Sequence, residues 1–146
     1  MKSALGKLRD ASPAERRAIV AAAALLLAVR AVLWLLPLET VLRFAGRTPA
    51  GRSRRKDEAR LERMVRAIDV MGHRLFPANP CLTQAVLVQA LYRRAGRPAE
   101  LRIGVKREGR SRLEAHAWVE HEGTILIGAT EAAHGYVPLP PFRLGA

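Results

Sequence analysis

The fold is decided by residues 79–128, which read NPCLTQAVLVQALYRRAGRPAELRIGVKREGRSRLEAHAWVEHEGTILIG. The stretch opens on a predicted helix start, because Asn79 is a favoured N-cap residue and Pro80 a favoured first helical residue. Apolar residues then recur at spacings of three and four, which predicts an amphipathic helix as far as about Arg94. Cys81 is therefore expected in the first turn of this helix.

A cysteine in that position is a candidate nucleophile. The unpaired backbone N–H groups and the positive end of the helix dipole stabilise a thiolate, and they lower the thiol pKa from its free value of about 8.5. The alternative is that Cys81 is one more small apolar side chain, on a stripe with Ala85, Val88 and Tyr92. Gln84, one turn further, is expected to be a partly exposed helix residue, with a hydrogen bond to the site as the alternative.

Three short strands are predicted after this helix, from the alternation of polar and apolar residues. They are expected at residues 100–106, 113–121 and 124–128, with Glu122-Gly123 as a tight turn between the last two. Alternation on the second strand places His116 on the face opposite Ala115 and Ala117. An imidazole there can take the thiol proton from Cys81 and later protonate a leaving amine, whereas a purely structural strand histidine is the alternative.

Together these segments resemble a known family. NPCL (79–82), LRIGV (101–105) and AHAWVE (115–120) follow one another as in the transglutaminase-like cysteine proteases that remove leader peptides in lasso peptide biosynthesis, the microcin-processing family. The resemblance covers about residues 79–138. It implies an α+β fold with a papain-like transglutaminase core, in which N-terminal helices surround the Cys81 helix and a small antiparallel sheet carries His116.

The resemblance also implies the residues of a cysteine peptidase, with Cys81 as the nucleophile and His116 as the base. In that family an acid on the next strand orients the imidazole, but residues 127–130 contain no aspartate. An uninterrupted hairpin register would place His116 opposite Ala129, with Glu131 as its diagonal neighbour, so Glu131 is the candidate third member. A backbone carbonyl or a water in that role would make the site a dyad. Backbone N–H groups at the start of the Cys81 helix are the candidate oxyanion donors.

Two other functions stay open at this point. One is a non-catalytic binding module that keeps the transglutaminase-like shape, and the other is an acyl transferase that uses the same thioester. No metal or cofactor is expected, because the sequence holds no HExxH, CxxC, P-loop or GxGxxG pattern. The single cysteine excludes an internal disulfide framework.

The charge is concentrated in the first third of the chain. The net charge is +12, and residues 1–56 hold 12 basic and 3 acidic residues, a net charge of +9. We therefore divide the chain into a basic helical segment with its linker, 1–56, and the protease core, 57–146. Such a segment suits an anionic partner or is a solvated basic face. Nucleic acid is not expected, because the arginine-rich linker at 46–56 holds no aromatic residue.

The apolar stretch at residues 19–36 belongs to a helix that is predicted to start near Ser12, with Glu15 completing a capping box. Arg30 near its middle and Pro37 at its end argue against a membrane span. We expect this helix to pack against the domain, with a basic helix on the membrane surface and a true span as the alternatives. A further amphipathic helix is predicted at residues 57–75.

Partners follow from the resemblance alone. It implies a lasso precursor peptide as substrate, a separate small leader-binding protein that delivers it, and an asparagine-synthetase-like lasso cyclase that acts afterwards. The expected location is cytoplasmic, with peripheral membrane contact through the N-terminal helix as the alternative.

Overall fold

The computed structural model describes residues 10–47, 55–128 and 135–140. The helices in these ranges are α1 (Pro13–Leu35), α2 (Leu38–Gly46), α3 (Arg55–Leu75) and α4 (Cys81–Arg94). The strands are β1 (Glu100–Glu108), β2 (Arg112–His121), β3 (Thr124–Ile127) and β4 (Val137–Pro138), and they form one antiparallel sheet in the order β3-β2-β1-β4. The predicted α+β class, with N-terminal helices and a small antiparallel sheet, is confirmed.

Helix α1 begins as the sequence predicts. The Ser12 hydroxyl accepts a hydrogen bond from the Glu15 N–H at 3.2 Å, and the Glu15 carboxylate accepts one from the Ser12 N–H at 2.8 Å. This capping box satisfies two N–H groups that a helix start leaves unpaired. The helix ends at Leu35, because Leu36 precedes Pro37 and takes the extended conformation that a residue before proline favours.

Helix α2 is an element that the sequence interpretation misses. It buries Val41, Leu42 and Ala45, whose spacing places them on one face, against Val86 of α4. Most of the predicted linker at 46–56 lies outside the described residues, and α3 begins at Arg55, two residues before the predicted start.

Helix α4 is the centre of the molecule, because α1, α2, α3 and β2 all pack against it. Its Ala85 and Val88 are fully buried, in the same core as Leu26 of α1 and Val119 of β2. The expected packing of the N-terminal helix against the domain is confirmed for one stripe of that helix, and the segments 1–56 and 57–146 share this core.

The hairpin of β2 and β3 departs from the predicted register. His121 pairs with Thr124 as expected, but a β-bulge follows, and Val119 pairs with Ile127. The prediction of an uninterrupted register is therefore wrong, because the extra residue of the bulge shifts every later pair by one. Strand β3 ends at Ile127.

Candidate active site

Cys81 is the first residue of α4, and it lies where the sequence places a helix start. The prediction of Asn79 as the N-cap is wrong. Pro80 holds the N-cap position in a helical conformation, and no side chain caps the helix. The N–H groups of the first turn therefore have no side-chain cap, and they remain able to stabilise negative charge on the partly buried Cys81 sulfur.

His116 lies on β2 and is only 6% exposed. Its Nε2 lies 3.2 Å from the carbonyl oxygen of Gly128. A carbonyl can only accept, so Nε2 carries the proton in this hydrogen bond, and Nδ1 of the neutral ring is left as the acceptor. Gly128 thus fixes the tautomer that a proton acceptor for a thiol requires.

The structure brings Cys81 and His116 together, because the thiol and the imidazole form a hydrogen bond. Burial raises the pKa of the Cys81 thiol, but four effects oppose it: the hydrogen bond with His116, a backbone hydrogen bond with Ala117, the positive charge that the His116 ring carries when protonated, and a backbone hydrogen bond with Leu82. Their combined effect places the pKa below its ordinary value, so a larger fraction of Cys81 is thiolate than in a free cysteine at the same pH. The catalytic roles of Cys81 and His116 remain predictions.

Two aromatic side chains hold the His116 ring in place. Trp118 stacks near it, with ring centroids 6.3 Å apart and planes 17° from parallel, and Tyr136 lies 5.3 Å away. The Trp118 indole N–H donates to the Glu120 carboxylate at 2.8 Å, and this hydrogen bond fixes the orientation of the Trp118 ring. Tyr136 comes from the segment before β4, and no periodic pattern in the sequence pointed to it.

Cys81 lines a cleft of about 310 Å³ between the sheet and α3. One side, which we call the sheet wall, comprises His116, Leu126, Ile127 and Gly128. The opposite side, the helix wall, comprises Val65, Arg66, Asp69 and His73 of α3. The sequence interpretation assigned no functional role to the polar residues of the helix wall, because their i, i+3 and i+4 spacing is that of any solvated helix face.

Gln84 also lines this cleft, and the expectation that it is partly exposed is wrong. It is 4% exposed, and its Nε2 donates to the carbonyl oxygens of Asp69 at 3.1 Å and Ile68 at 3.3 Å. Gly72 leaves the space for it, because a Cβ there would lie 2.3 Å from Gln84 Nε2. Gln84 therefore joins the helix that carries Cys81 to the helix wall.

The candidate third residue, Glu131, lies outside the described residues. The bulge between Val119 and Glu120 removes the register argument that singled it out. The Gly128 carbonyl already orients the His116 ring, which is one of the alternatives that the sequence left open. No group of three or more His, Cys, Asp or Glu side chains within the described ranges is placed to hold a metal ion.

The family model of the transglutaminase-like superfamily matches residues 8–140. Neither a curated protein nor a solved structure gives a significant match. The match covers nearly all of the chain, from before α1 to beyond β4, and the chain belongs to the transglutaminase-like superfamily.

Proposed function

We propose that this member of the transglutaminase-like superfamily is a cysteine peptidase that removes the leader peptide from a lasso peptide precursor. The observation that carries the peptidase assignment is the hydrogen-bonded Cys81–His116 pair with a lowered thiol pKa, placed in an open cleft. The lasso substrate is supported by the NPCL, LRIGV and AHAWVE segments and their order.

The reaction would run through an acyl-enzyme. The Cys81 thiolate attacks the scissile carbonyl carbon, and first-turn N–H groups of α4 donate to the developing oxyanion. The imidazolium of His116 then gives its proton to the leaving amine, and the C–N bond breaks to leave a thioester. Water, deprotonated by His116, attacks the thioester and releases a carboxylate with the free thiol.

The basic segment 1–56 would serve delivery of the substrate. Its net charge of +9 is complementary to an acidic leader or to an acidic face on a separate leader-binding protein. Reversing the charge of Arg47, Arg52, Arg54 and Arg55 together is expected to weaken that binding, and unchanged binding would contradict it. A lasso cyclase of the asparagine-synthetase type would then act on the released core peptide.

The test is cleavage of a lasso precursor by the purified chain together with its leader-binding protein, followed by mass spectrometry. We expect a free leader carboxylate, and we expect Cys81→Ala and His116→Ala each to lower the rate by about 100-fold or more. His121→Ala is a matched control, because His121 lies on the same strand away from the cleft. Normal cleavage by either site variant would contradict a catalytic pair, and a leader joined to an amine would identify an acyl transferase.

A further inference from the structure

Helix α1 exposes large apolar side chains that the fold does not cover. Val20, Leu27, Trp34 and Leu35 are 68%, 53%, 87% and 72% exposed. They share the face of α1 opposite the buried stripe of Ala18, Ala22 and Leu26. Surface apolar residues are ordinary when scattered, but a contiguous row of this kind marks an interaction surface. We call this row the outer face of α1.

The outer face carries no charge over its length. Arg30 is the one charged residue between Arg17 and Glu39, and it turns toward the domain. Its guanidinium lies 4.9 Å from the Phe76 ring centroid and reaches the Asn79 carbonyl at 3.4 Å. At 1.5 Å per residue, the uncharged strip from Val20 to Leu35 is about 23 Å long.

The packing of α1 against the domain decides whether this helix can cross a membrane or only lie on its surface. Of the helices in the described ranges, α1 alone has the length and composition to cross one, and 17% of its most apolar window is buried. Its inner stripe packs in the core that also holds Ile68 of α3, and α3 carries Arg60, Arg63 and Arg66 beside it. Crossing the bilayer would take those charges into hydrocarbon, so α1 can only lie along the surface.

The apolar composition of the outer face favours lipid over a protein as the occupant. Arg16 and Arg17 are exposed at the start of α1, and residues 1–56 carry a net charge of +9, which is complementary to anionic headgroups. Trp34, at the other end, is the amphipathic residue typical of membrane interfaces. A protein interface carries about one hydrogen bond per 100–200 Å², but apart from the Trp34 indole the strip offers no polar side chain. We propose that the outer face of α1 docks the protein onto the surface of an anionic membrane.

The test uses the full chain with vesicles of phosphatidylcholine and phosphatidylglycerol in equal parts. We expect co-sedimentation and a blue shift of tryptophan emission, because Trp34 is exposed whereas Trp118 is 5% exposed. Replacing the vesicles by pure phosphatidylcholine should weaken binding about tenfold or more, since each basic residue near an anionic surface adds about 1 kcal/mol.

The matched variants compare two exposed leucines. Leu27→Glu places a charge on the outer face and should lower vesicle binding at least about tenfold. Leu113→Glu, at a 66% exposed position on β2, should leave binding unchanged. If Leu27→Glu alters thermal unfolding, Ala31→Glu repeats the vesicle-binding test at a second position on the same outer face.

Three results of the vesicle experiments would overturn the proposal. They are failure of the wild-type chain to bind anionic vesicles, equal binding to both vesicle types, and equal losses for Leu27→Glu and Leu113→Glu. A wild-type dimer in solution that Leu27→Glu converts to a monomer would also overturn it, because a second copy of the chain would then cover the outer face.

Discussion

The sheet wall and the helix wall of the cleft face each other across Cys81, and they hold their polar groups differently. His116 on the sheet wall is 6% exposed, hydrogen-bonded to the Gly128 carbonyl and flanked by two aromatic rings. On the helix wall, the side chains of Asp69 and His73 are 55% and 61% exposed, and His73 Nδ1 lies 2.9 Å from the Asp69 carbonyl oxygen and 3.5 Å from its carboxylate. Buried, hydrogen-bonded groups keep one geometry, which chemistry needs, whereas exposed groups can meet many substrates. We infer that the sheet wall serves the reaction and the helix wall serves recognition.

A methyl group on Gly128 should disturb the sheet wall more than any other single change proposed below. Its φ is +84°, and a Cβ there would lie 2.8 Å from the Trp118 Cβ and 3.1 Å from His116 Nε2. Gly128→Ala should displace the imidazole and lower kcat about 100-fold, since a misplacement of about 1 Å has that effect. Cleavage kinetics measure it.

The matched control for Gly128 is Gly123→Ala. Gly123 has a φ of +77°, but nothing lies within 4 Å of the Cβ position. This variant carries the same backbone strain, about 1 kcal/mol, without the contact. It should lose a little stability and keep its kcat. Equal kcat losses in the two variants would show that strain, and not the His116 position, matters.

The contact of Gln84 with Gly72, which connects α4 to the helix wall, can be tested by filling the space at Gly72. Gly72→Ala should destabilise the protein by about 1–3 kcal/mol, because the new methyl would overlap Gln84. In a Gln84→Ala background the same change should be neutral or stabilising, since the space is then free and alanine is the better helix former by about 1 kcal/mol. Urea unfolding of the two single variants and the double variant measures the reversal. The same sign in both backgrounds would contradict the packing described.

The smallest expected effect is on the helix wall itself. Asp69→Asn and His73→Ala should raise KM for the precursor about three- to tenfold and leave kcat nearly unchanged, as expected when exposed groups contribute binding alone. Glu58→Gln is the matched control on the same helix, because Glu58 pairs with Arg97 at 3.1 Å away from the cleft. A fall in kcat without a change in KM would show that Asp69 and His73 act in the reaction itself and not in substrate binding.

Local signals in the sequence were enough for much of the fold. The Ser12–Glu15 capping box, the placement of Cys81 in the first turn of α4 and the tight turn at Glu122-Gly123 each depend on a few neighbouring residues, and each is found in the structure. The same local signals, a helix start and strand alternation, located Cys81 and His116 one by one, but choosing them as a catalytic pair over two structural residues depended on the family resemblance.

Features that depend on distant packing could not be predicted. The bulge at Val119 is invisible in the alternation of side chains, yet it ends the register that had suggested Glu131. Gln84 looks like a surface residue until α3 lies beside it. The polar residues of the helix wall likewise line a cleft only because α3 packs next to α4, and this packing is not visible in the sequence of α3.

His116 opposes the effect of burial and lowers the pKa of the Cys81 thiol, and Cys81 is the only cysteine in the chain. Its rate of alkylation by iodoacetamide as a function of pH therefore reports that pKa directly. We predict a midpoint below that of the urea-unfolded chain, near 8.5 for a free thiol, and a higher midpoint in His116→Ala, where burial still raises the pKa. A wild-type midpoint at or above that of the unfolded chain, or one that His116→Ala leaves unchanged, would contradict the account.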